Sequence, residues 1–141
     1  MNDTPHDCTE ELHEVSLRAT PARLEILHVL EQSDAPVDVE TVRQYLRERH
    51  SEADDATIFR ILARFAETGI ARLIQFNEGK KRYEYARKPS HHHFVCDACG
   101  SVTDIDGCIL GPLEKNIEKT KGVSVTRHSL EFFGLCRRCK K

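Results

Sequence analysis

Two C-x₂-C pairs, Cys96-Asp-Ala-Cys99 and Cys136-Arg-Arg-Cys139, separated by 36 residues (100–135), constrain this chain more than any other feature. Two residues between cysteines allow a tight turn that brings both sulfurs to one side of the backbone. Two such turns offer four thiolates to one tetrahedral Zn²⁺. Gly100 after the first pair and Gly134 before the second suit those turns. Four thiolates close the coordination shell, so the expected zinc is structural and ties two distant stretches of chain together. Two disulfides or a redox-active C-x-x-C are competing readings of the same cysteines. No secretory signal is read, so a reducing, cytoplasmic setting is expected, which weighs against stable disulfides.

A chain of 141 residues suits one ordinary domain or two small ones, and small modules often need a metal staple. No apolar run approaches the ~18 residues that span a bilayer, so no membrane partner is expected. The formal charge of −2 hides a strong asymmetry. Residues 1–56 hold 5 Lys/Arg against 14 Asp/Glu, whereas residues 57–88 hold 8 against 3. A basic patch inside an acidic chain marks a candidate binding surface, with a solvated face as the plainer reading.

The order of elements predicts an α+β protein. The first dozen residues read as loose chain or the start of a helix. Thr20-Pro21 starts a helix carrying Leu24, Ile26, Leu27, Val29 and Leu30, and Asp38 caps a second with Val39, Val42, Tyr45 and Leu46. A third runs from Ala56 to Thr68 and stops at Gly69. Arg72–Phe76 and Arg82–Tyr85 alternate around Asn77-Glu78-Gly79-Lys80, the pattern of a β-hairpin. Three helices and a hairpin give a winged helix-turn-helix over residues 1–88. After Pro89-Ser90 the pattern changes, and 89–141 reads as a second module. It has a strand into the first knuckle, a strand over Val102–Asp106, a helix over Leu110–Thr120, and a long strand from Val123 to Phe133 into the second knuckle.

Function follows from faces. On the third helix Ile58, Ile61, Leu62 and Phe65 form a core stripe, while Arg60 and Arg64 lie on the far side with Phe59 between. Arginine pairs with guanine edges or phosphates and an aromatic ring packs on a thymine methyl, so this face suits a major groove. Lys80, Lys81 and Arg82, with Arg87 and Lys88, would carry phosphate contacts on the wing. His91-His92-His93 lies on the strand entering the first knuckle, so His91 and His93 face one way and His92 the other. Glu84 and Asp104 supply oxygen ligands near the same scaffold, and a mixed N/O set suits Fe²⁺, Mn²⁺ or Zn²⁺. A weaker additional site would combine His92 and His128 with Asp106 or Glu114. Cys8 and Cys108 are read as unpaired thiols. An interaction module that holds zinc and binds no DNA is the alternative of another class. Enzymatic zinc chemistry is disfavoured because a Cys₄ shell is closed.

Taken together, Arg18-Ala-Thr-Pro-Ala-Arg23, Ala56-Thr-Ile-Phe-Arg60, Gly69-Ile70, His91-His-His93, Cys96-Asp-Ala-Cys-Gly100, His128-Ser-Leu-Glu131 and Gly134-Leu-Cys136 resemble the ferric uptake regulator family. The resemblance implies an N-terminal winged helix and a small α/β dimerisation domain. It also implies a homodimer that binds palindromic double-stranded operator DNA as a repressor when metal is bound, with no organic cofactor. By motif position it implies structural zinc on Cys96, Cys99, Cys136 and Cys139 and a regulatory metal on Glu84, His91, His93 and Asp104. Arg18, Arg23, Thr57, Phe59, Arg60 and Arg64 would face DNA. Three positions depart from the family pattern: Phe59 replaces a tyrosine, Gly111 replaces an acidic ligand, and Ser33–Asp38 lacks a loop histidine, leaving Asp34 or Asp38 as substitutes. Fe²⁺ is the first expected signal, peroxide the second, manganese or zinc the third.

Overall fold

The computed structural model describes residues 8–76, 79–89 and 91–141, which divide into two compact units between Arg87 and Lys88. His6, the turn residues Asn77 and Glu78, and Ser90 lie outside the described residues.

In the first unit, α1 (Cys8–Glu14), α2 (Pro21–Gln32), α3 (Val39–Glu48) and α4 (Asp55–Thr68) precede the hairpin β1 (Ala71–Gln75) and β2 (Lys81–Tyr85). The caps are those the sequence predicts. Thr20 Oγ1 accepts from the Arg23 amide at 3.3 Å and Asp38 Oδ1 from the Thr41 amide at 2.8 Å, each satisfying a helix-end donor. At α4, Asp54 Oδ1 accepts from the Thr57 amide at 2.7 Å, so the helix begins at Asp55. Gly69 ends it with φ of +85°, a left-handed conformation that costs glycine little. The opening residues are a helix and not loose chain from Cys8 on. Leu12 is fully buried in the core, the Tyr85 hydroxyl donates to Glu11 at 3.0 Å, and Arg87 pairs with Glu14 at 3.0 Å. Arg87, expected on DNA, therefore clamps α1 to the wing.

Ile26, Leu27, Leu30, Val42, Leu46, Ile58, Leu62, Phe65 and Tyr83 make one continuous core. Each such side chain contributes roughly 1.5–3 kcal/mol by burial. A bridge from Val37 to Tyr83 adds a third backbone segment to the hairpin. β1 and β2 pair antiparallel in the register Ala71↔Tyr85 to Gln75↔Lys81.

The second unit is a three-stranded sheet in the order β4-β3-β5, with β3 (His91–Cys96) central. β4 (Val102–Asp106) runs antiparallel to β3, and β5 (Glu131–Gly134) runs parallel after a crossover through α5 (Gly111–Lys121). The long strand expected from Val123 is confined to Glu131–Gly134. Residues 123–130 run without regular structure: the parallel register sets His93 opposite Glu131, and β3 begins at His91, so it offers almost no neighbour further back along the chain. Here the Val125 amide donates to Glu118 of α5 at 2.8 Å. α5 buries no residue.

Candidate metal centres and nucleic-acid interface

The thiolate centre is built by two turns. After β3, the Gly100 amide donates to the Cys96 carbonyl at 2.9 Å, and Gly100 takes φ of +72°. After β5, the amides of Cys139 and Lys140 donate to the Cys136 carbonyl at 3.0 and 2.8 Å. Parallel pairing sets Cys96 opposite Gly134, which delivers the second turn beside the first. All four sulfurs lie within 4.8 Å of one another, and Cys99 Sγ is 3.8 Å from Cys136 Sγ. A tetrahedron with Zn–S bonds of ~2.3 Å has S···S edges of about 3.8 Å, so the set lies within about an ångström of the geometry zinc requires. The six cysteines carry free thiols, against the disulfide reading. Backbone amides aimed at the sulfurs favour thiolates. Those of Cys139 and Arg138 bring Cys136 down to about 6 against the pull of desolvation, and those of Cys99 and Cys136 lower Cys96. Cys139 is pushed up to about 12 chiefly because its thiol is hydrogen-bonded to the sulfurs of Cys136, Cys96 and Cys99, with burial and the Cys136 charge adding less.

Strand alternation sorts the histidines. His93 stands directly opposite Asp104, and its Nε2 lies 3.6 Å from Oδ1 of that carboxylate. His91 shares the face, with ring centroids 4.9 Å apart and its Nε2 3.9 Å from Asp104 Oδ2. The Pro89 carbonyl lies 2.7 Å from His91 Nδ1, a partner that fixes the proton on Nδ1 and presents Nε2 as a lone pair. Lys88 reaches the same carboxylate at 3.8 Å. Two imidazoles and a carboxylate thus converge on one face of the sheet. Glu84 belongs to the first unit, where it is 3 % exposed on β2 and pairs with Arg72 at 3.3 Å.

On the opposite face, His92 is 6 % exposed and its ring centroid is 5.2 Å from that of His128. Asp106 does not join them. It pairs across the ladder with His91, and cross-strand partners project to the same face. Glu114 reaches His128 Nδ1 at 2.5 Å. Cys108, an unpaired thiol by the sequence, has its sulfur 3.3 Å from His128 Nε2 and groups with His92 and His128. A lone cysteine lacks the C-x₂-C signal, and its spacing from His128 carries no motif. Asp38, a possible substitute for the loop histidine, is committed within the first unit. Burial raises its pKa, but the Lys80 ammonium and the Thr41 amide prevail and hold it at about 2.

In the first unit, Arg18, Arg23, Thr57, Arg60 and Arg64 line one open depression of about 500 Å³ together with Thr20, Ala22 and Ile61. Four guanidinium groups over an apolar floor make a seat for phosphate. Arg64 is also paired with Glu67 at 3.0 Å, an exposed contact worth little and easily exchanged. Phe59 is 41 % exposed, and Lys81 Nζ lies 5.3 Å from its ring centroid. Lys80, expected on DNA, sits on Asp38, and Arg82 is half-buried on β2.

A winged helix with an arginine-lined face, followed along the chain by a unit that concentrates thiolate and imidazole donors, defines a metal-responsive transcription regulator and not an enzyme. The chain belongs to the ferric uptake regulator family, whose model matches residues 14–133. It is 32 % identical over 134 residues to the ferric uptake regulation protein of Bacillus subtilis (strain 168), spanning 92 % of this chain and 90 % of that one. The solved Vibrio cholerae ferric uptake regulator superposes with a TM-score of 0.82 at 31 % identity, covering 92 % of this chain and all (100 %) of the other. A zinc-bound manganese uptake regulator superposes with a TM-score of 0.73 at 27 % identity, covering 92 % and 99 %. Among the described residues no helix is long and apolar enough to cross a membrane.

Proposed function

We propose that this chain is a cytoplasmic repressor that binds palindromic operator DNA as a homodimer and responds to Fe²⁺. The observation that carries the reading is the convergence of His91, His93 and Asp104 on one sheet face. A nitrogen and oxygen donor set suits Fe²⁺, whereas the neighbouring thiolate cage suits zinc. In this reading Cys96, Cys99, Cys136 and Cys139 hold structural zinc. Glu84 joins His91, His93 and Asp104 by its motif position, and linking the wing to the metal gives occupancy a route to DNA affinity. Arg60, Arg64 and Phe59 enter the major groove, while Arg18, Arg23, Thr57, Lys81 and Arg82 anchor the backbone. Lys80 contributes only if it exchanges Asp38 for phosphate.

The homodimer draws support from the second unit's uncovered apolar surface. Leu113 and Ile117 on α5, with Ile109, Phe132 and Phe133, are all more than a third exposed. So small a unit gains by covering such a face with a second copy. Likeness to a protein described as a manganese uptake regulator makes Mn²⁺ the second reading. The test is operator binding by protein holding only its Cys₄ zinc, titrated with Fe²⁺ without oxygen, and with Mn²⁺ and Zn²⁺ separately. Tightening by Fe²⁺ at the lowest free concentration, lost in His91→Ala/His93→Ala, is expected. Equal binding with and without metal overturns the switch.

A further inference from the structure

We infer that Arg72 and Lys88 are built-in competitors for the regulatory metal. They hold the carboxylates of Glu84 and Asp104 until a divalent cation displaces them, and so raise the metal concentration at which the protein responds. The inference rests on the sensor reading given above, in which those carboxylates ligate together with His91 and His93.

Each of the two carboxylates already carries a cation of this chain. Arg72 and Glu84 stand directly opposite each other in the β1–β2 ladder, so their side chains project to the same face. Arg72 Nη2 lies 3.3 Å from Glu84 Oε1, and the Glu84 side chain is only 3 % exposed. In the second unit Lys88 Nζ lies 3.8 Å from Asp104 Oδ2. A lysine normally extends its ammonium into water, yet the Lys88 side chain is 16 % exposed and that of Asp104 18 %. One such pair in each unit accounts for both oxygen donors of the proposed set.

A carboxylate withdrawn from water needs a positive partner, and removing that partner leaves a charge uncompensated. Arg72 and Lys88 supply the partner without metal. A divalent cation on the same oxygens brings twice the charge, and at these separations it repels the guanidinium or ammonium. Metal and protein cation therefore exclude each other, and the side chain swings away when metal binds. Arg72 is long, flexible and 42 % exposed, so its path into solvent is open. Metal affinity is then the intrinsic affinity of the ligands reduced by the work of breaking two ion pairs. The competition acts on charge, so it sets the threshold of response and leaves the choice of metal to the donor atoms. The lack of a histidine in residues 33–38 strengthens it. With two imidazoles and two carboxylates in the set, half of the donors are contested.

The test follows Mn²⁺ binding through the loss of the free ion's electron paramagnetic resonance signal, on full-length protein holding its Cys₄ zinc. The sensor component is the uptake abolished in His91→Ala/His93→Ala. Arg72→Gln and Lys88→Gln should each tighten that component about tenfold, whereas the charge-retaining Arg72→Lys and Lys88→Arg should stay near wild type. In a Glu84→Gln background Arg72→Gln should lose its effect, because the ion pair is already gone. Mn²⁺ should also raise the melting temperature more in Arg72→Gln than in wild type, since metal there replaces a charge that wild type already has. A measurement on the wild type avoids any effect of substitution on folding. Mn²⁺ should increase acylation of Lys88 severalfold by mass spectrometry, with the exposed Lys119 of α5 as the unchanged reference. Unchanged or weaker Mn²⁺ binding in Arg72→Gln and Lys88→Gln would show that the cations only support the carboxylates and overturns the competition. Lys88 acylation that does not rise with Mn²⁺ overturns it equally. Mn²⁺ uptake identical in wild type and His91→Ala/His93→Ala overturns the sensor reading, and the competition with it.

Discussion

The two units are stabilised in different ways. The first buries leucines, isoleucines, valines, a phenylalanine and Tyr83 around four helices, and its helices carry side-chain caps. Among the described residues of the second, only Val95 and Cys96 are buried apolar side chains, while His92 and His93 occupy interior positions that a core would give to hydrocarbon. Phe132, Phe133, Leu113 and Ile109 are left in solvent. The first unit carries the means of its own stability, whereas the second, in the function proposed above, is completed by metal and by another copy. Burial makes a rigid reader, and a module that depends on metal makes its own order a function of metal supply.

The largest expected effect breaks the second unit alone. Stripping the thiolate centre with a chelator, or Cys139→Ser, should remove stabilisation on the order of 10 kcal/mol. Amide exchange in residues 91–106 and 131–134 should rise toward the unfolded rate while the α2–α4 core stays protected. Continued protection of β3 after complete zinc loss would end the contrast between the units. Phe65→Ala is the reciprocal experiment. It opens a cavity in a fully buried site and should cost ~3–5 kcal/mol, lowering the melting transition of the winged helix while zinc content stays at its original value.

Smaller effects sharpen the comparison. Arg60→Ala should weaken operator binding by ~1–3 kcal/mol with the specificity relaxed, read by titration of labelled duplex, and should leave metal stoichiometry unchanged. A change in metal binding would mean that the reading face and the metal unit are not separable. Asp38→Ala should cost ~1 kcal/mol through the lost cap, somewhat more with Lys80 left alone. Asp38 has a folded pKa of about 2, below its ordinary 3.8. Its contribution is therefore complete above the ordinary value and disappears as pH falls through the folded one. Denaturant midpoints of wild type and Asp38→Ala should converge between about pH 4 and pH 2, and a constant gap would show that the carboxylate's charge is irrelevant.

Much of this was legible before any coordinates. Thr20, Asp38 and Gly69 mark helix ends because a cap acts on backbone amides within three residues, or on the φ of its own residue. The sharing of a face by His91 and His93, and the separation of His92, follow from the two-residue period of a strand. The start of α1 was harder, since Leu12 is one apolar residue in a polar stretch and its helix depends on Tyr85 and Arg87, more than 70 positions away. Asp106 takes the face of His91 and not that of His92, because the β3–β4 register, and not proximity along the chain, decides its side. The strand from Val123 was overextended for a related reason. Apolar, β-prone residues make a strand only where a partner edge is offered.

By itself the sequence determined the local and the periodic: the caps, the hairpin, the C-x₂-C turns, and the face each histidine takes. These depend on interactions within a turn or on alternation along a strand. Only the tertiary structure decided that Cys96 and Gly134 pair, that Lys80 rests on Asp38, and that Cys108 meets His92 and His128. Those groupings join residues 16 to 42 positions apart, and register and loop path, which no local propensity encodes, bring them together.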